Sequence, residues 1–223
     1  MSRPELLFPL FAGLETLDGI GPKTAKGFAG LGVERPKDLL FLLPNSGMDR
    51  SRKSSVRDVV LPATVTVEVE VGGHFPPRAK GRPYRVMVRD TGLEFQLVFF
   101  HDRSEFLHSL LPTGQRRLVS GRVELFDGIA QMVHPDHVLR PEEAAELPAY
   151  EPVYPLTAGV TQKQVMNGVA GALDRAPVLP EWIDPGQKTR AGWPDWRTAI
   201  GAVHAPQGSA DIAFTHPARQ RLA

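Results

Sequence analysis

Two glycines and a lysine near the N-terminus have the composition of a phosphate-binding turn. Gly19 and Gly21 flank Ile20, and Lys23 follows two residues later. A P-loop needs Gly-x-x-x-x-Gly-Lys-Ser/Thr, because successive backbone N–H groups must surround the phosphate oxygens. Here Pro22 directly precedes the lysine and has no N–H to donate. The segment before the turn is also predicted to be helical, and the sequence therefore excludes a P-loop.

The same turn is similar to the connection in a helix-hairpin-helix motif. Short helices are predicted over 4–17 and 22–31. In such a motif the backbone N–H groups and the following lysines, here Lys23 and Lys26, bind a DNA phosphate without reading sequence. Alternatively, Ile20 fills a helical core and the glycines only permit the turn. Both interpretations remain open.

A loop that combines basic and aromatic side chains is the strongest functional signal. It runs from Gly72 to Tyr84, lies between two predicted strands and contains no acidic residue. We predict that its nucleic-acid ligands are His74, Phe75, Arg78, Lys80, Arg82 and Tyr84. Phe75 would stack on an unpaired base while the basic side chains hold phosphates. Two alternatives remain. Tyr84 is two residues from the first valine of the next strand, so its side chain would share the face of those valines and point into a barrel. The loop as a whole could also be an ordinary solvated hairpin.

The elements around this loop predict a β-barrel. Apolar residues alternate with polar ones in three segments, a helix follows, and two further strands are joined by a turn containing Asp127 and Gly128. The predicted boundaries are 65–71, 84–88 and 93–99 for the first strands, 103–110 for the helix, and 117–125 and 129–133 for the last strands. This order is typical of the five-stranded OB fold, which binds oligonucleotides on one face and in its loops.

Composition excludes several other classes of protein. The 223 residues include 26 basic and 25 acidic side chains and no cysteine, so disulfides and thiolate metal sites are excluded. No apolar run approaches the roughly 20 residues that span a bilayer, and no signal-peptide pattern is present. We therefore expect a cytoplasmic protein, monomeric and without a membrane partner. The motif His134-Pro-Asp-His137 lacks thiolates and needs at least one more metal ligand from elsewhere, and no local pattern marks a catalytic residue, so neither a metal site nor a catalytic site is predicted.

Several short motifs follow one another in a characteristic order. They are Leu17–Thr24, Asp38–Pro44, Leu97–Phe100, Met132–Pro135, Pro152–Val160, Leu179–Ile183 and His216–Leu222. Each is weak alone, but their ordered combination resembles the wedge family of bacterial RecG-type DNA helicases over nearly the whole chain.

This resemblance implies a mainly β protein with flanking helices (α+β). A helical subdomain with the helix-hairpin-helix-like turn would occupy 1–50, an OB-fold wedge 51–140, and an extended linker with short helices 141–223. It implies branched DNA and the helicase's own motor domains as partners, with replication proteins as further candidates through the OB fold. In the family, ATP and Mg²⁺ belong to motor domains downstream of this region, so no cofactor is expected here.

A protein-interaction module is the alternative to a DNA-binding wedge. The segment after residue 175 is rich in proline and carries Trp182, Trp193 and Trp196. So much apolar area in a segment with little predicted structure suggests docking on a partner domain or on the barrel. In that case the chain would bind DNA only weakly.

Overall fold

The chain divides into a helical unit and a β-barrel unit. The computed structural model describes residues 4–79, 81–100 and 104–223. The helical unit comprises the residues up to 48 together with 150–223, and the barrel unit comprises 49–149. We expected the first and last regions of the chain to be separate, but they share one hydrophobic core.

The strands of the described residues are β1 (Ser46–Asp49), β2 (Arg52–Lys53), β3 (Ala63–Phe75), β4 (Tyr84–Arg89), β5 (Glu94–Phe99), β6 (Arg116–Phe126), β7 (Ile129–Val133), β8 (His137–Leu139) and β9 (Tyr150–Val153). The α-helices are α1 (Pro22–Phe28), α2 (Pro36–Phe41), α3 (Ser104–Leu110), α4 (Gln162–Asp174), α5 (Pro185–Ala191), α6 (Trp196–His204), α7 (Ser209–Ile212) and α8 (Pro217–Leu222). Short 3₁₀ segments cover Glu5–Phe11, Leu14–Thr16, Ala29–Leu31, Val56–Asp58 and Pro141–Glu146. Within the described ranges, no helix is both long and apolar enough to cross a membrane.

The barrel has the strand order of an OB fold. Neighbouring strands follow the order β3-β4-β5-β7-β6, and pairing of β3 with β6 closes the sheet. All of these pairs are antiparallel except β5 with β7, which is parallel. The predicted fold class is therefore confirmed, with α3 between β5 and β6 as expected. The first residue of the predicted helix, Arg103, lies outside the described residues.

Alternating side chains of β3, β4 and β5 fill the barrel. Val65, Val67 and Val69 on β3 and Phe95 and Leu97 on β5 are all at most 1% exposed. Burial of a side chain of this size contributes about 1.5–3 kcal/mol each. The strand patterns read from the sequence hold because one face of each strand is packed against this core.

The first predicted helix, over 4–17, is wrong. Two 3₁₀ segments, Glu5–Phe11 and Leu14–Thr16, occupy this range. Pro9 lies inside the first of them and Gly13 separates them, which are the residues that interrupt an α-helix. The helix-hairpin-helix likeness therefore lacks its first α-helix.

The core of the helical unit is built from both ends of the chain. Ile20, in the Gly-Ile-Gly turn, is 4% exposed. A Cβ added to Gly168 of α4 would lie 3.1 Å from the Ile20 Cδ1 atom, so the turn packs closely on this helix. Thr161 caps α4 by accepting a hydrogen bond from the Gln164 N–H at 3.3 Å. The isoleucine thus has the core position that the structural interpretation of the turn requires.

The segment expected to be a strap belongs to this unit. Trp196 is 9% exposed and packs in the helical core. Trp193 is half-buried, and its Nε1 lies 3.4 Å from Gln220 Oε1. Trp182 remains 58% exposed, with the Arg221 guanidinium 4.5 Å from its ring centroid. Only one of the three tryptophans is therefore open to a partner.

A buried tyrosine and histidine join α6 to α2. Tyr154 Oη lies 2.9 Å from His204 Nδ1, and His204 Nε2 lies 2.9 Å from the Leu40 carbonyl oxygen. A carbonyl can only accept, so Nε2–H donates to it and the bare Nδ1 accepts from the phenol. Burial lowers the pKa of His204, and the folded protein therefore favours neutral imidazole here.

A two-stranded sheet of β1 and β9 was not foreseen from the sequence. Beside it, the Asn45 N–H donates to the Val153 carbonyl at 3.0 Å, and the Arg50 N–H donates to the Ala149 carbonyl at 2.8 Å. These contacts hold the two ends of the 49–149 segment next to each other.

Candidate nucleic-acid interface

A β-bulge decides which side chains of the β3–β4 hairpin face outward. From Val71 to His74, β3 advances three residues while the opposing stretch of β4 advances two. Directly opposed residues share a face of the sheet, so the extra residue turns His74 inward and Phe75, opposite Arg85, outward. Gly72 lies in the bulge, where an added Cβ would be 3.1 Å from a backbone oxygen of β4.

Phe75 is the exposed aromatic side chain at the root of this hairpin, with 55% of its surface accessible. It borders an open groove of about 610 Å³ between the loop 76–83 and the outer face of β4 and β5. From the strands, the groove is lined by Arg85, Met87 and Gln96, which were not among the predicted ligands. An aromatic wall beside polar side chains suits a flat ring such as a nucleobase.

Three arginines line the same groove: Arg78, Arg82 and Arg85. The first two are exposed and the third is half-buried. Within the described part of the chain, none of the three forms an ion pair with a carboxylate. Their positive charges are therefore available to an anionic ligand.

Two arginines of the barrel away from the hairpin, Arg116 at the start of β6 and Arg89 at the end of β4, have carboxylate partners. Arg116 Nη1 lies 2.9 Å from Glu68 Oε1, and Arg89 Nη2 lies 3.8 Å from Glu94 Oε1. Cross-strand pairs of this kind stabilise a sheet by roughly 0.2–1 kcal/mol each. Uncompensated positive charge is thus a property of the β3–β4 hairpin.

Tyr84 and His74 are corrections to the predicted ligand set. Tyr84 is 3% exposed and packs in the barrel core, as its parity with the valines of β4 allowed. His74 is half-buried, and both of its ring nitrogens have hydrogen-bond partners. Neither ring is free to stack on a base.

The remaining predicted ligands are not placed at a defined site. Lys80 lies outside the described residues. Lys23 and Lys26 are exposed on α1, and the shallow cleft at the glycine turn is lined by Asp18, Asp174 and Arg175. Two carboxylates against one arginine disfavour the binding of a phosphate in that cleft. The role of the two lysines stays a prediction.

Phe100 is an exposed aromatic residue that the sequence analysis did not select. It directly follows β5, is 40% exposed, and its N–H donates to His134 Nε2 at 3.0 Å. The alternation of β5 gave a signal, because Phe99 faces the core at 6% exposure and its successor faces away.

Among the described residues, no three His, Asp or Glu side chains converge as a metal-binding group.

Comparison with known proteins links this architecture to one family. Residues 14–174 match the sequence model of the RecG wedge domain. The chain is 26% identical over 221 residues to the ATP-dependent DNA helicase RecG of Pasteurella multocida (strain Pm70), covering 94% of this chain and 31% of that protein. It is 27% identical over 230 residues to the protein of the same name from Acidithiobacillus ferridurans, covering 96% and 31%.

A solved structure shares the fold. The structure of RecG bound to a three-way DNA junction superposes with a TM-score of 0.77 at 21% identity, over 95% of this chain and 29% of that one. The chain spans about a third of the length of the curated relatives it matches.

Proposed function

The chain belongs to the RecG wedge-domain family, and from this premise we propose that it binds branched DNA, such as replication forks and Holliday junctions. It would act as the wedge module of an ATP-dependent DNA helicase in recombination and repair. The relatives it matches are named as such helicases, and one family member has been solved on a three-way junction. ATP and Mg²⁺ would be bound by the motor domains of that helicase.

The observation that carries this proposal is the exposed Phe75 beside arginines without carboxylate partners. A linear duplex keeps its bases stacked and paired, whereas a branch point offers unpaired bases with open π-faces. An aromatic platform stabilises each stacked base by about 1–3 kcal/mol, whatever the sequence. The hairpin therefore favours branched over linear DNA without any contact to base edges.

The groove arginines supply the second part of the interaction. Each contact to a backbone phosphate releases condensed counterions, so binding weakens as salt rises. Three arginines predict a log–log salt slope of about −2 to −3 for phosphate contacts. This component attracts all DNA, and the aromatic contact adds the preference for branches.

Fluorescence anisotropy tests the proposal with the 223-residue chain. A labelled three-way fork and a linear duplex of equal length are titrated at two salt concentrations. We expect tighter binding to the fork at both concentrations, together with a loss of affinity for both DNAs at high salt. Equal and weak binding to the two DNAs would refute the proposal.

A docking module that binds DNA only weakly is the second candidate function. Trp182 is 58% and Phe214 88% exposed on the helical unit, and exposed aromatic side chains are enriched at protein interfaces. Replacing Phe75 and Arg82 would then leave function intact. Trp196 cannot test docking, because its ring is part of the core of its own unit.

The two candidates are separated by paired variants in the helicase that carries this segment. If the chain is a DNA-binding wedge, Trp182→Ala should leave fork binding and helicase activity unchanged, whereas Phe75→Ala should weaken both. The opposite result, with helicase activity lost in Trp182→Ala and kept in Phe75→Ala, would favour the docking function.

A further inference from the structure

Three side chains form a hydrogen-bonded cluster at the root of the DNA-facing hairpin. Tyr84 Oη lies 3.0 Å from His74 Nδ1 and 3.2 Å from His108 Nε2, and His74 Nε2 lies 2.8 Å from the Leu111 carbonyl oxygen. The two imidazole rings stack, with centroids 4.0 Å apart and planes 20° apart. We call His74, Tyr84 and His108 the hairpin-root cluster.

The proton positions in this cluster follow from its one obligatory acceptor. The Leu111 carbonyl can only accept, so His74 donates from Nε2 and presents a bare Nδ1. The Tyr84 hydroxyl donates to that nitrogen, and its oxygen accepts from the Nε2–H of His108. Each of these three hydrogen bonds has one donor and one acceptor when both imidazoles are neutral.

The cluster connects both hairpin strands to α3. His74 is the next-to-last residue of β3, Tyr84 is the first of β4, and His108 lies on α3. Residues just after α3 hold the bulge as well, because Thr113 Oγ1 donates to the Gly72 carbonyl at 3.0 Å. The bulge that turns Phe75 outward is therefore fixed on its inner side.

We propose that the hairpin-root cluster positions the hairpin for branched DNA, with His74, Tyr84 and His108 acting as positioning residues that hold Phe75 on the outer face. None of them touches the DNA. The inference rests on the proposed function, since it concerns how the aromatic contact is presented. Loss of the cluster frees the hairpin root and lowers the preference for forks, while general attraction to DNA remains.

Protonation is a natural way to disturb this cluster. Burial lowers the pKa of His74, the hydrogen bond to the Leu111 carbonyl opposes this shift, and charge on the stacked His108 ring lowers the pKa further. The groups hydrogen-bonded to the His74 ring are the Tyr84 hydroxyl and the Leu111 carbonyl. Neither carries a negative charge that could compensate a proton on this ring.

The first test is Tyr84→Phe, which keeps the aromatic ring and removes the central hydroxyl. Fork and duplex affinities are measured side by side, and their ratio is the readout, because added or lost net charge changes both. We expect the ratio to fall about 3- to 10-fold, the equivalent of roughly one neutral hydrogen bond. Tyr154→Phe is the matched control: it removes the same phenol-to-imidazole bond in the helical unit and should leave the ratio unchanged.

A second test separates positioning from stability. His108→Ala should lower the ratio, and His108→Gln, which restores a side-chain N–H donor on an exposed helix position, should recover most of it. Because the pKa of His74 is lowered in the folded protein, the wild-type ratio should fall as the pH drops below the ordinary histidine pKa of about 6.5. In Tyr84→Phe the ratio should be low and independent of pH.

The outcomes are distinguishable from failure of the proposed function. A wild type that prefers forks, with Tyr84→Phe and His108→Ala showing the same ratio and the same pH profile, overturns the positioning role alone. If the wild type shows no fork preference, the proposed function fails, and amide hydrogen exchange then decides the inference. Faster exchange over 76–83 in Tyr84→Phe than in the wild type supports the cluster, and equal exchange refutes it.

Discussion

Truncation of Phe75 to alanine should remove the preference for branched DNA without unfolding the barrel. More than half of the side chain is exposed, at 55%, so its loss costs less than about 1 kcal/mol of folding stability. A base–aromatic stack contributes about 1–3 kcal/mol. The ring is partly covered by its own hairpin, so we take the lower part of this range, about 1–2 kcal/mol. This corresponds to a fork dissociation constant that rises about 5- to 30-fold.

The assay compares fork and duplex anisotropy for Phe75→Ala and for a matched variant of the same unit. Phe126→Ala is the control, because Phe126 is 58% exposed in the β6–β7 hairpin and does not border the groove. Duplex affinity should change less than about 2-fold in both variants, since a duplex presents no open base.

Two results would refute this reasoning in different ways. Equal weakening by Phe75→Ala and Phe126→Ala would mean that the effect is not a contact of the groove. A large loss in Phe100→Ala with none in Phe75→Ala would assign the stacking surface to the end of β5. In that case fork binding would stand and the assignment of Phe75 would be wrong.

Three further predictions concern charge, register and protonation. Replacing Arg78 and Arg82 with alanine should reduce the log–log salt slope by about 1.5–2 in titrations with duplex DNA, whereas Arg89→Ala, which removes an ion-paired side chain, should change it little. Deleting Gly73 removes the extra residue of the bulge, so the phenylalanine at the end of β3 should turn inward, with fork preference lost and barrel melting temperature lowered. The pKa of His204 is lowered in the folded state, so the unfolded chain binds more protons than the folded one below about pH 6.5. The melting temperature should therefore fall as the pH is lowered from 7 to 5. In His204→Asn the melting temperature should depend less on pH.

The barrel could be predicted from the sequence because its strands repeat a two-residue pattern against one core. Val65 to Val71, Tyr84 to Val88 and Leu93 to Phe99 alternate over enough residues to identify strands and faces. The pattern ends at the Gly72 bulge, where an inserted residue reverses the faces. The two-residue spacing from Val86 indicated that Tyr84 could face inward. It could not show that His108 on α3 would form a hydrogen bond with the Tyr84 hydroxyl.

The helical unit was harder to predict because its order depends on distant partners. Apolar spacing over 4–17 suggested a helix, while Pro9 and Gly13 divide this range into 3₁₀ segments. Trp196 looked like a docking residue because the core in which it packs draws on residues far along the chain, from Leu10 to Leu40 and from Tyr154 to Ala176. Pairing of β1 with β9 joins residues about 100 positions apart, and no local pattern encodes such a contact.

The helical unit is built from two stretches of chain separated by the barrel segment, and this affects the order of folding. During synthesis its first part emerges early, but its core cannot close until α4 and α6 have left the ribosome. By then the whole 49–149 segment is available to fold by itself. Once it has folded, its ends are adjacent, and the entropy cost of closing a loop of about 100 residues, about 4 kcal/mol, has already been met. We therefore expect the barrel to fold first. By keeping its two ends close together, it should speed completion of the helical core.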